Sequence, residues 1–417
     1  MLAGWLAAET SFTSLRPANQ QSGKGGDSMQ AAARTPLRRS RRPPGIELSS
    51  AALRRRFADA FQPRPWIYWS DLLASAGIGW AAFAVSCATS GAICASAMVV
   101  SVLALYRAAL LIHELAHLRP GAVRGYETVW NLIVGFPLMV PSLMYVGSHG
   151  DHHKRSTYGT AADPEYEAIA HWSPLRIARS SLMMLPLPAA LAFRWGVLGP
   201  LSRVVPPLRR LVVQSLSTLV INPAYRRQVP RGRMAVRWAL CELGAGLYAW
   251  AGVLALATGR APIGWAARWY AVGSGILVLN HMRTLAAHRY ENLGDRLDAI
   301  GQLLDTINLR GIPGLTALAA PVGLRYHGLH HLLPALPYHN LGAVHRKLLA
   351  ELPSHSPYRA TEEPTLAWAL RDLWLRASRN LRGHAAPHAF LSEARAAAAP
   401  ERARATPRAS DAGAAAR

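Results

Sequence analysis

The chain has 417 residues, 51% of them hydrophobic, enough to bury a sizeable core, and its 46 Lys plus Arg against 23 Asp plus Glu give a formal net charge of +23. All but three of the basic residues are Arg, and much of the excess falls in runs that read as unfolded: 34–44 (RTPLRRSRRPP), 53–57 (LRRRF) and the Ala/Arg-rich tail after Glu393. The charge therefore gives no nucleic-acid partner, and Cys87, Cys94 and Cys241, apolar in context and without CxxC spacing, exclude a disulfide framework and an iron–sulfur cluster.

Residues 1–64 read as a basic, disordered segment. "MLAGWLAAE" lacks a basic start and meets Glu9 too early for a secretory signal. Four apolar stretches then reach or approach membrane-spanning length, about 20 residues: 71–88, 91–112, 238–258 and 263–279. Almost nothing separates the first two, and only "GRAP" separates the last two, so they predict two helical hairpins. Between the hairpins, 129–147 and 181–201 are apolar but proline-interrupted, which favours interfacial or re-entrant placement. The N-terminal segment and the stretch between the hairpins are Arg-rich, whereas the two short turns hold only Arg260. The positive-inside rule then puts both termini and the central region in the cytoplasm.

The expected class is an all-α integral membrane protein with four spans and a cytoplasmic helical cap holding a di-metal site. Residues 65–352 form its membrane domain. Residues 353–417 are expected to hold an amphipathic helix, with Leu366, Leu370, Leu373 and Trp374 on one face, and a disordered tail. That helix either lies on the membrane surface or packs on the body.

Nine of the 16 histidines form an ordered set. His113 and His117 are spaced i, i+4, so on a helix both rings share a face. His149, His152 and His153 are spaced i, i+3, i+4, and His327, His330 and His331 repeat that pattern. His288 follows the last apolar stretch. Nine imidazoles exceed what one zinc uses, about four, and two ions with four or five nitrogens each would fit. Imidazole suits Zn, Cu, Fe and Ni, so the spacing does not name the metal. A site at the mouth of a helical bundle faces lipid chains, and attack on their C–H bonds needs a redox metal and oxygen, which favours iron. A rival reads "HELAH" as the H-E-x-x-H motif of a membrane zinc metalloprotease, with Glu114 as general base. That reading leaves seven clustered histidines without a role.

The set resembles the histidine boxes of the membrane fatty acid desaturase superfamily: HxxxH at 113–117, HxxHH at 149–153 and HxxHH at 327–331. "HGDHHKRSTYGTAADPEY", "RTLAAHRYEN" and "HHLLPALPYHNL" resemble its bacterial members, over about residues 70 to 350. The resemblance implies two non-haem irons held by His113, His117, His149, His152, His153, His288, His327, His330 and His331. It also implies a lipid acyl substrate and the bacterial inner membrane. The implied reaction uses dioxygen and two electrons to install a double bond. Hydroxylases and ketolases of the superfamily use similar boxes. His281 is the second choice for the single extra ligand, and Asn280 is a polar neighbour. Glu114, Asp151, Asp163 and Glu291 are candidates for carboxylates that orient imidazoles, or are surface charges. His339 reads as a neighbour of the site. No HPGG haem motif is present, so a separate ferredoxin, rubredoxin or cytochrome would deliver electrons.

Overall fold

The structure is a computed structural model that describes residues 48–382, so the disorder expected before residue 48 and in the tail after 382 lies outside the described residues. Its first element contradicts expectation. Residues 53–57, read as unfolded from their arginines, belong to a helix (α1, Ser50–Arg56) and its cap. Leu53 and Phe57, one turn apart, are buried while Arg54 to Arg56 face outward. Ser50 Oγ donates to Leu332 O at 3.0 Å and Arg56 pairs with Glu351 at 2.6 Å.

Two long helices follow, α2 (Pro65–Ala88) and α3 (Gly91–His117), with proline at the first position of α2 and only Thr89 and Ser90 between them. They pack closely because Gly79 faces Leu105, where an added Cβ would sit 2.6 Å from Leu105 Cγ. Arg107 of α3 grips Asp71 of α2 through two bonds of 2.7 and 2.5 Å, and Tyr338 OH donates to the same carboxylate at 2.8 Å. A charge within an apolar helix is thereby neutralised.

The next elements are short: α4 (Tyr126–Trp130), α5 (Ser148–His152), α6 (Pro174–Leu182), α7 (Leu187–Phe193), α8 (Gly199–Val204) and α9 (Pro206–Ser215). Long helices return with α10 (Arg233–Ala257) and α11 (Ile263–Leu285). Then come α12 (Ala299–Asp305), α13 (Pro313–Ala319), α14 (His327–Leu332), α15 (Tyr338–Glu351) and α16 (Leu366–Leu381). The described strands are β1 (Asn308–Leu309) and β2 (Glu362–Glu363), paired in parallel.

Among the described residues α2, α3 and α10 are long and apolar enough to cross a membrane, and the number reaches four if the pair of 174–182 with 187–204, bent by 53°, counts as one span. The fourth expected span forms as α11 over 23 residues, but Arg268, His281 and Arg283 keep it below that apolarity. Nor do α10 and α11 close into a tight hairpin. α11 packs on α2, α3, α6 and α7, whereas α10 packs on α8, on 194–198 and on 131–144.

The two proline-interrupted stretches fill the space between them, as Phe136, Met139, Leu191 and Trp195 share a core with Ala245 and Ala249 of α10 and with Trp269 of α11. Broken backbone in such a place needs hydrogen-bond partners. Indoles from the surrounding elements provide them: Trp80 donates to Ile133 O at 2.7 Å, Trp195 to Met139 O at 2.9 Å, Trp250 to Gly196 O at 2.9 Å and Trp269 to Pro137 O at 2.8 Å.

The segment after 352 also joins the body. Leu373 and Ala377 of α16 are buried in a core with Tyr158, Tyr166 and Tyr290, while Trp368 and Trp374 remain exposed. The amphipathic helix thus packs on the body and keeps an exposed apolar edge.

Candidate metal centre

All three boxes lie at one end of the long helices. The last turn of α3 carries His113 and His117 with ring centroids 5.0 Å apart. Short α5 presents His149 and His152, with His153 as its cap, and α14 presents His327, His330 and His331. His288 is not on a helix. It sits in extended backbone just beyond α11, bridged to Thr306, with Arg289 N donating to Asp305 O at 2.6 Å.

The nine rings form two groups whose ligand nitrogens all lie within 4.8 Å of one another: His113, His117, His149, His153 and His330 in the first, His152, His288, His327 and His331 in the second. Box and group do not coincide. In each HxxHH the i, i+4 pair serves one group and the i+3 ring serves the other, because the i+3 side chain is rotated to the flank of that face. Each group therefore draws on both boxes: in the first, His153 Nε2 lies 3.0 Å from His149 Nε2 and 3.0 Å from His330 Nε2. In the second group His327 Nε2 is 2.9 Å from His288 Nε2 and 3.1 Å from His331 Nε2.

Several of these nitrogens converge without adequate donors. Both nitrogens of His113 and Nε2 of His117 are buried with no hydrogen-bond partner. Burial, followed by the neighbouring imidazoles, holds His149, His153, His330 and His331 well below the ordinary histidine pKa, and burial first, then His288, does so for His327. Neutral rings with converging lone pairs are the state that binds a cation. The donor set fits two metal ions, five nitrogens for one and four for the other.

Behind the rings stand carboxylates and phenols. His149 Nδ1 is 2.8 Å from Glu165 Oε1 and 2.8 Å from Tyr145 OH. Burial, with Asp163 adding to it, raises Glu165 to about 7 against the pull of His152. His152 Nδ1 lies 2.9 Å from Asp163, which also accepts the Gly159 and Glu165 N–H groups at 2.8 Å each. Burial lowers the His152 pKa, but the Asp163 charge and hydrogen bond outweigh it and raise the group. His288 Nδ1 is 2.8 Å from Tyr158 OH and 3.4 Å from Asp305, and Tyr158 and Tyr166 both donate to Asp305. Burial raises the Asp305 pKa, and the His288 bond and charge reverse that, leaving it low. Such partners fix which ring nitrogen faces inward.

Of the carboxylates named from sequence, Asp163 bonds to a clustered ring and the others do not. Glu114 Oε1 is 3.8 Å from His113 Nδ1, and its other oxygen accepts from Tyr68 OH at 2.9 Å and Tyr338 N at 3.2 Å. Asp151 faces Lys154 and Tyr225, and Glu291 pairs with Arg376 at 3.2 Å. His281 Nε2 is 3.0 Å from Ser180 Oγ and outside both groups. His339 accepts the Arg64 N–H at 3.3 Å and packs edge-on to Tyr68 and Tyr338.

The fatty acid desaturase family model matches residues 88–362. The chain belongs to the fatty acid desaturase family. A relative named ceramide hydroxylase, from Caulobacter vibrioides (strain NA1000 / CB15N), is 41% identical over 319 residues, 76% of this chain and 91% of the relative. No solved structure matches. Members of this oxidoreductase family are typically di-iron, which agrees with two histidine groups able to hold metal. Sequence reading of this desaturase-family chain missed Tyr145, Tyr158, Glu165 and Asp305. Glu165 stands two residues from Asp163, a near signal; Asp305 is 17 residues beyond His288 and is brought back only by the bridge to Thr306.

Proposed function

We propose that the chain is an oxygen-dependent, di-iron hydroxylase of a ceramide-like lipid in the bacterial inner membrane. The observation that carries this reading is 41% identity across nine-tenths of a ceramide hydroxylase, in a chain whose nine histidines fall into two ligand groups. It replaces desaturation, the first expectation from the boxes, with the alternative outcome of the same superfamily. The balance is one C–H, one dioxygen, two electrons and two protons giving one C–OH and one water. A desaturase would return two waters and a double bond.

In this reading His113, His117, His149, His153 and His330 hold one iron, and His152, His288, His327 and His331 the other. Bound iron supplies the redox chemistry that activates dioxygen toward an unactivated C–H bond. Glu165, Asp163 and Asp305 hold their rings in the ligating tautomer, and burial of the rings keeps bulk water from the centre. In this reading the Arg-rich segments keep this end of the molecule and both termini in the cytoplasm, where a separate ferredoxin, rubredoxin or cytochrome delivers electrons. A zinc protease is disfavoured, because the required base, Glu114, is held by Tyr68 and Tyr338, and its two histidines share a group with three more.

The test is expression in a host that makes or is fed ceramide, with a compatible donor, followed by mass analysis of extracted lipids beside a His330→Ala control. Ceramide gaining one oxygen is the expected product. A species lighter by two hydrogens, with no added oxygen, would return the chain to the desaturases.

A further inference from the structure

A narrow apolar cavity lies against α3 beside the metal centre, with Leu110 and Ile112 on its wall next to His113. Its wall includes four side chains with hydrogen-bonding N–H or O–H groups: Tyr106, Trp130, Trp269 and Asn280. Three are already engaged with backbone. Tyr106 OH donates to Ala319 O at 2.9 Å, Trp130 Nε1 to Ala108 O at 2.8 Å and Trp269 Nε1 to Pro137 O at 2.8 Å. Asn280 differs. Its Oδ1 accepts from Arg283 Nη2 at 2.9 Å, and among the described residues its Nδ2 has no protein acceptor.

The bond from Arg283 decides which way the amide faces, since guanidinium donates and only the carbonyl end can accept. Arg283 is itself 9% exposed, and its Nε is buried without a partner. A charged side chain placed in such surroundings is costly, and Arg283 uses one of its N–H groups to orient Asn280. The amide N–H₂ is left as the free donor on an apolar wall, five residues before α11 ends at Leu285, roughly 7.5 Å along the helix axis at about 1.5 Å per residue.

Resting on the hydroxylase reading above, we propose that Asn280 is a specificity-determining residue. Its Nδ2 donates to a neutral oxygen of the lipid, the amide carbonyl or a hydroxyl of a ceramide-like molecule, and Arg283 is the positioning residue that keeps the donor turned toward the cavity. A plain hydrocarbon chain leaves the donor unpaired, whereas a chain bearing an oxygen acceptor at this height satisfies it. Sites built this way discriminate against analogues lacking the acceptor. The anchor also sets which carbon stands before the metal centre.

The experiment uses the full chain in lipid nanodiscs, comparing affinity for ceramide with that for analogues whose 1-hydroxyl or 3-hydroxyl is replaced by hydrogen, or whose amide oxygen is replaced by sulfur. The intact protein is expected to lose about tenfold in affinity for one analogue, the scale of one hydrogen bond. Asn280→Leu should bind ceramide about tenfold more weakly and lose no more on that analogue, with iron content and melting temperature kept. Arg283→Lys should recover part of the discrimination that Arg283→Met loses. If Asn280→Leu does not fold, Asn280→Asp, which replaces the donor with an acceptor, serves the same comparison. Discrimination undiminished in a folded Asn280 variant overturns the inference alone, given that the intact protein still hydroxylates ceramide. Failure of the intact protein to bind or hydroxylate ceramide overturns the functional reading and the inference with it.

Discussion

Among single side chains, what stands behind each imidazole separates the two histidine groups. His152 and His288 of the second group have Asp163 and Asp305, whereas in the first group His149 has Glu165 and Tyr145. Asp163→Asn would lose the charge behind His152 and set an N–H₂ against the Gly159 or Glu165 N–H. Loss of such a partner typically weakens metal affinity about 10- to 100-fold. Asp163→Asn and Asp305→Asn are therefore expected to purify with close to one iron per chain, and Glu165→Gln to lose metal from the other group; iron analysis against protein concentration checks this. Two irons retained in all three variants would count against the grouping. The nine histidines are readable because imidazole is rare and its spacing matches a helix. Asp305 is not, since only the backbone bridge of His288 to Thr306 reveals it.

Elements position these groups by close approach and by capping of broken backbone. Gly328, inside the third box, lies where α14 crosses the strand before it: a Cβ there would meet Asn308 Nδ2 at 3.0 Å and Thr306 Oγ1 at 3.1 Å. Those atoms are committed, because Asn308 Nδ2 donates to Thr361 Oγ1 at 2.7 Å and its Oδ1 accepts the Leu329 N–H at 3.2 Å. Gly328→Ala should therefore displace α14, with a cost of about 1–3 kcal/mol and loss of iron, read by melting temperature and metal content. Gly150, at the matching position of the second box, has nothing within 4 Å, so Gly150→Ala should be tolerated. A second test concerns the indoles. Trp195→Phe keeps most of the buried ring but strands the Met139 carbonyl, and is expected to cost about 1–3 kcal/mol, measured by thermal unfolding in detergent. Hydropathy marks the proline-interrupted stretches as something other than simple spans. It does not show that four tryptophans hold them, since those contacts join residues far apart in sequence.

For the whole molecule, the sequence boundaries at 64 and 352 cut through packed structure. Residues 50–64 are tied to the box-three region by Ser50 to Leu332 and Arg64 to His339, and α16 is tied to the loop after His288 by Arg376 and Glu291. Composition misled here because arginine counts toward disorder even when an interleaved leucine is buried. Orientation is the remaining property of the whole chain, and the proposed one rests on helix direction together with charge. α3 ends at His117 and α11 ends three residues before His288, so the turns at 89–90 and 258–262 lie at the far ends of these helices from the metal centre. Those turns hold one arginine, Arg260, against Arg54, Arg55, Arg56, Arg227 and Arg237 among the described residues toward the other end. In a variant with Cys87, Cys94 and Cys241 replaced by serine, Gly259→Cys should react in intact spheroplasts with a membrane-impermeant maleimide. Arg379→Cys, on an exposed position of α16, should react only after permeabilisation. The reverse pattern would put the histidine groups outside the cell, away from any cytoplasmic electron donor, and the oxygenase mechanism would then lack its source of electrons.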